Sequence, residues 1–161
     1  MKPKTDGTPA HARFDAISRR YKYYIQQIKD PFTKDTAFYY PYTVEIDRLE
    51  QAAAVVKEIT DFTSFSKKNT HVKSFNCSIE KSNWSMENGC LVYDVKANRF
   101  LRGMVRALVG TMLHVGRNKI TIEEFRSIIK AKDSSLADFS APGHGLFLIA
   151  VDYPENFFDV K

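Results

Sequence analysis

The tripeptide Glu87-Asn88-Gly89 restricts the fold more than any other short stretch of this chain. It separates two runs of alternating residues, Phe75 to Met86 and Cys90 to Ala97, and Asn-Gly readily takes the positive φ angles of a tight hairpin turn. The sheet built on these runs is therefore at least partly antiparallel. A third run, from Arg19 to Ile28, puts Tyr21, Tyr23 and Ile25 on one face and Lys22, Tyr24 and Gln26 on the other, with Pro31 as its stop. Leu146 to Val151 is apolar almost throughout and reads as a strand buried on both faces, ended by Asp152-Tyr153-Pro154.

Helical periodicity is just as plain. Leu101, Met104, Val105, Leu108 and Met112 form one stripe of a helix from about Phe100 to Val115, with Gly116 placed to stop it. Asp47 with Glu50, and Thr121 with Glu124, have capping-box spacing. The first pair predicts a helix from about Arg48 to Ile59 carrying Leu49, Ala52, Ala53 and Val56; the second predicts one carrying Phe125, Ile128 and Ile129. Asp61 to Lys68 and Ser134 to Gly145 lack a period and read as loops. Strands and helices mix without βαβ alternation, so the expected class is α+β: a mixed, mainly antiparallel sheet with helices packed on one face.

Composition excludes several function classes. No apolar run approaches the roughly eighteen residues of a membrane-spanning helix, and the first ten residues lack the apolar stretch of a secretory signal. No membrane partner is expected, and the cytoplasm is the expected compartment. Two cysteines, Cys77 and Cys90, lack metal-ligand spacing and are expected to be buried free thiols. There is no phosphate-binding glycine loop, nucleophile elbow, HExxH or CxxC. The 24 Lys and Arg residues against 19 Asp and Glu give a net charge of +5, which suits a polyanionic partner without demanding one.

Three positions stand out for chemistry. Arg106 falls at the margin of the apolar helical stripe, near Arg99 and Arg102 and close to Gly103 and Gly110. A half-buried guanidinium there suits a carboxylate or phosphate, although a snorkelling arginine that covers the core satisfies the same pattern. Tyr21 follows Arg19-Arg20, so its ring could stack on an unstacked base while Arg20 and its neighbour hold phosphates; a core tyrosine is the simpler alternative. Leu146, after Gly143-His144-Gly145, is placed to floor a pocket or simply to open a core strand. The four histidines, His11, His71, His114 and His144, are scattered.

Taken together the segments resemble one family over almost the whole chain, the tRNA pseudouridine synthases of the TruA type. His11-Ala12-Arg13-Phe14 and Ser18-Arg19-Arg20-Tyr21-Lys22-Tyr23 are similar to its H-A-R-F and S-R-x-Y-x-Y segments, and Asp61-Phe62-Thr63-Ser64-Phe65 to its D-F-x-S-F loop. Lys96-Ala97-Asn98-Arg99-Phe100-Leu101 through Met104-Val105-Arg106 resembles its K-A-N-x-F-x-x-x-M-V-R segment. Ala141-Pro142, Gly145-Leu146 and Val151-Asp152-Tyr153-Pro154 resemble its closing motifs. Leu101-Arg102-Gly103 departs from the family's usual histidine-containing tripeptide.

The resemblance implies a cofactor-free, metal-free isomerase that turns uridine into pseudouridine in the anticodon arm of tRNA, acting as a homodimer. It implies that Arg106 pairs with the catalytic aspartate, that Tyr21 stacks on the target base and assists proton removal from C5, and that Leu146 packs beneath the base. Arg20, Arg99 and Arg102 are the expected substrate-binding cations. The family's aspartate stands in an R-T-D-A-G loop upstream of H-A-R-F, and that loop is missing from this sequence; Thr5-Asp6-Gly7 lacks its arginine and alanine, so Asp6 is not assigned as catalytic. Residues 1–10 accordingly read as a linker remnant, 11–154 as the C-terminal portion of the catalytic domain, and 155–161 as a tail. The chain alone is then expected to be inactive. A non-catalytic RNA-binding or dimerisation module, or a domain without an RNA partner, are the competing readings.

Overall fold

A computed structural model describes residues 8–9, 11, 14–68, 72–155 and 157. Asp6, Ala12 and Arg13 lie outside the described residues, as does most of the linker and tail. The elements are β1 (Ser18–Gln26), β2 (Phe38–Tyr39), α1 (Ile46–Glu58), β3 (Ile79–Glu87), β4 (Cys90–Ala97), α2 (Met104–Gly116), α3 (Ile122–Ala131) and β5 (Leu146–Asp152), with single 3-10 turns at Thr63–Phe65 and Gly143–Gly145.

The hairpin forms where expected. Asn88 and Gly89 have φ of 49° and 78°, and Glu87 faces Cys90 across the turn. β4 continues antiparallel along β1, whose other edge carries β5 antiparallel and then β2 parallel for two residues, Phe38 and Tyr39. That makes a mixed, mainly antiparallel five-stranded sheet. Tyr23, Ile25, Leu91, Tyr93 and Val95 point from it into one core shared with α1, α2 and α3, so the α+β reading holds. Lys22 and Tyr24 lie on the opposite face, as alternation requires.

Several expectations fail. The Asp47–Glu50 capping box does not form: α1 starts behind Glu45 with no side-chain cap, and Asp47 sits inside its first turn. Glu50 instead accepts the backbone N–H of Trp84 on β3, covering a donor that an edge strand would leave open. α2 starts at Met104 and not near Phe100, because Gly103 has a left-handed φ of 79° that breaks the helical path. β5 is not buried on both faces. It lies at the edge of the sheet beside β1, and Phe147, Leu148 and Ile149 are 37%, 53% and 45% exposed. Apolarity alone does not distinguish an edge strand from a central one. Cys90 is likewise only half-buried, while Cys77 is fully buried; both thiols are free.

The second capping box is complete: Glu124 N–H donates to Thr121 Oγ1 at 3.1 Å and Thr121 N–H donates to Glu124 Oε2 at 2.7 Å. The far end of the same helix is closed by the Asp61–Lys68 segment, which is a loop around one 3-10 turn but packs into the core through Phe62 and Phe65. Ser64 Oγ donates to the Ile128 carbonyl at 2.7 Å, satisfying a helix-end acceptor. Asp61 accepts from Thr63 and pairs with Lys132 at 2.7 Å, just past α3.

Lys132, and after it Thr63, hold the Asp61 carboxyl at about 2, below its ordinary 3.8. A depressed carboxylate stabilises the fold above its unfolded value, and this contribution is lost as pH falls towards the folded value. Asp61→Asn should therefore flatten the loss of stability between about pH 4 and pH 2, read as the urea midpoint against pH.

Candidate functional site

The site grows from the way α2 receives the loop that precedes β5. Gly110 comes so close to the Asp138 carbonyl that a Cβ there would overlap it. Thr111 Oγ1 accepts from the Asp138 N–H at 3.0 Å, and His114 Nε2 lies 3.0 Å from Asp138 Oδ2. One turn before Gly110, Arg106 donates from Nε to the Ala141 carbonyl at 2.5 Å and from Nη2 to the Phe139 carbonyl at 3.4 Å. From the sheet, Tyr23 Oη donates to the Pro142 carbonyl at 2.6 Å. Burial pushes the Tyr23 hydroxyl well above its ordinary value, so it remains a donor throughout the physiological range.

These bonds carry the chain into Leu146, which opens β5 opposite Tyr23. Tyr21, two residues back along β1, shares the face of Tyr23 and meets Phe100 edge to face, with ring centroids 5.0 Å apart. A one-residue shift in the β1–β5 register falls between Arg20 and Tyr21, a place where bulges commonly re-aim a side chain.

The result is a pocket of about 370 Å³ lined by Tyr21, Leu146, Arg102 and Arg106, with Phe100 and Lys67 completing its wall. Tyr21, Arg102, Arg106 and Leu146 are spread over 125 positions of the chain, and the fold joins them. Arg99 lines an adjoining cavity of about 540 Å³ that shares Tyr21 and Phe100. Arg20 is elsewhere. It projects from the opposite face and holds Asp94 through Nε at 2.8 Å and Nη2 at 2.5 Å, while Lys81 adds a 2.7 Å contact to the same carboxylate. Asp94 stays ionised below its ordinary range because Arg20 and Lys81 outweigh the cost of its burial.

Arg106 is half-buried, as its wheel position suggested, but its present partners are backbone carbonyls. Among the described residues it makes no ion pair, and Nη1 has no hydrogen-bond partner. Lys67, Phe100 and the His114–Asp138 pair were not singled out from the sequence. Phe100 lies inside a quoted motif, whereas Lys67 carries no pattern that marks it.

The family described as tRNA pseudouridine synthase matches residues 59–154. A protein of Parabacteroides distasonis named tRNA pseudouridine synthase A is 49% identical over 152 residues, which cover 94% of this chain and 60% of that protein. The Porphyromonas gingivalis protein of the same name is 47% identical over 92% of this chain and 60% of its own length. The Bacillus subtilis one is 34% identical over 89% and 59%. The chain thus spans about 60% of the length of the curated relatives it matches.

Anchoring by Arg106 has a consequence that needs no activity to observe. Arg106→Lys keeps the charge but loses the Nε–Nη2 fork, so residues 134–145 should exchange their amide hydrogens faster and stability should drop by about 1–2 kcal/mol. Unchanged protection in that segment would remove Arg106 as the anchor of the loop.

Proposed function

The chain belongs to the tRNA pseudouridine synthase family, and on that premise we propose that the Tyr21 pocket is its share of an active site that converts uridine to pseudouridine in the anticodon arm of tRNA. The observation that carries this reading is the convergence of Tyr21, Leu146 and Arg106 on one pocket from β1, β5 and α2. A protein that only bound RNA would not need these three side chains together.

In this reading the target uridine leaves the helical stack and enters with its base between the Tyr21 ring and Leu146. The N1–C1′ bond breaks, the uracil turns and a C5–C1′ bond forms; the C5 proton then departs to solvent, with Tyr21 assisting its removal, and N1 takes up a proton from solvent, so the product is an isomer of the substrate. Arg106 is the positioning residue for the aspartate that acts on the glycosidic bond. Its Nε is fixed on Ala141, and the 3.4 Å contact of Nη2 with Phe139 is weak, so the Nη1–Nη2 edge is the one presented to a carboxylate. A guanidinium held in that way lowers the carboxylate's pKa and keeps it ionised. No metal or cofactor is required by this route.

In this reading Arg99 and Arg102, which line the two adjoining cavities, hold RNA phosphates. Arg20 is committed to Asp94 on the other face of the sheet and lines neither cavity. The homodimer and the cytoplasmic setting belong to the same family reading; a light-scattering mass of one chain for the assembled enzyme would remove the dimer.

The direct test is release of tritium from C5-labelled uridine in unmodified tRNA. This chain alone should release none, since its pocket residues position and stabilise but do not replace the aspartate. Release should appear when the part of the Parabacteroides distasonis relative that this chain does not cover is supplied in trans, and Arg106→Ala in the mixture should abolish it. Robust release by the chain alone, lost in Asp6→Ala, would overturn the assignment.

A further inference from the structure

The cations that line the pocket differ from those on the opposite face of the sheet. On the face away from the pocket, Arg20 and Lys81 hold Asp94, Lys22 holds Glu87, and Lys96 holds Glu80 and Asp152. At the pocket, Lys67, Arg99, Arg102 and Arg106 make no ion pair among the described residues. Like charges gathered without counter-charges repel, and the arrangement is favourable only when an anion joins them.

Lys67 is built into this group. Its backbone N–H donates to the Arg102 carbonyl at 3.0 Å, which ties the D-F-T-S-F segment to the turn before α2. Its stem lies over Gly103, where an added Cβ would approach Lys67 Cγ to 3.0 Å and Phe139 Cε1 to 3.2 Å. The next lysine, Lys68, is turned to Asp133 at 3.8 Å instead. Thus Lys67 is held beside Arg102 by a backbone bond and a side-chain slot, is without an ion-pair partner among the described residues, and lines a pocket whose other walls include Tyr21, Phe100 and Leu146.

Aromatic and apolar walls accept a base, and an adjacent ammonium accepts a phosphate as a point charge. We infer that Lys67 holds a phosphodiester flanking the nucleotide in the Tyr21 pocket, a role that rests on the RNA-modifying reading above. The contact is to the backbone, so it sets the register of the nucleotide and does not discriminate between bases.

Binding tests this without turnover. The chain is titrated with an unmodified anticodon-arm RNA hairpin at several salt concentrations, alongside Lys67→Gln, Lys67→Arg, and Lys57→Gln as a control for net charge. Lys67→Gln should weaken binding about five- to tenfold at low salt and reduce the number of released counterions by about one. Lys67→Arg should restore most of the loss, and Lys57→Gln should change little. A neutral methylphosphonate is then placed at each linkage beside a target uridine in turn. At one linkage it should weaken the wild type by about as much as Lys67→Gln does, and should add no further loss to Lys67→Gln. Additive losses at both linkages, or a Lys67→Gln variant that binds like wild type, would overturn the role of Lys67 while leaving RNA binding intact. Failure of the wild-type chain to bind the hairpin at low salt would overturn it together with the reading on which it rests.

Discussion

Loop 138–142 lying along α2 is the contact on which the rest of the site depends. Backbone amides and carbonyls of such a loop are costly to bury without partners. Here the Asp138 N–H goes to Thr111, and the carbonyls of Phe139, Ala141 and Pro142 go to Arg106 and Tyr23. Gly110 permits the approach at the centre of this row by having no side chain. Through it the direction of β5, the place of Leu146 and the aim of Arg106 become a single geometric fact. A change at Gly110 would therefore be felt at Leu146 without touching it.

Arg106 combines two demands that a lysine cannot meet. Three separate N–H-bearing nitrogens in one plane allow Nε to bind the protein's own backbone while the terminal edge faces the pocket. Packing and chemistry are not alternatives at this position. The snorkelling reading and the carboxylate-pairing reading describe two edges of one guanidinium, because the side chain is only half-buried and its stem already covers core surface.

Periodicity and turn chemistry made much of this fold legible. The Asn88-Gly89 hairpin, the Thr121–Glu124 box, the one-sided face of β1 and the stripe of α2 all depend on residues near in sequence. What was not legible depends on distant partners. Glu50 looked like a cap and became a cover for the β3 edge, since Trp84 is 34 residues away. β5 looked central because its residues are apolar, but whether a strand is flanked on one side or two is settled by topology. The site followed the same division. Tyr21, Arg106 and Leu146 were marked by motif position, and Arg20 was marked with them, although strand alternation turns consecutive residues to opposite faces. That rule places Arg20 away from Tyr21 as soon as β1 is recognised as a strand.

The separation of charges explains how a sheet only nine residues deep can serve two environments. On one face Asp94 is nearly buried beneath Arg20 and Lys81, and the ion pairs there cover the strands at little net electrostatic cost. On the other, apolar side chains go to the helices and the cations are displaced to the rim, around Tyr21 and Phe100. Because Asp94 and Glu87 neutralise their own neighbours locally, the field of the unpaired group at the pocket is not cancelled by acids from β3 and β4. A net charge of +5 spread evenly would steer a polyanion to no particular place. Unpaired cations at the mouth of one aromatic pocket give a phosphate chain a direction there, and in the proposed reading the base attached to it arrives where stacking is available.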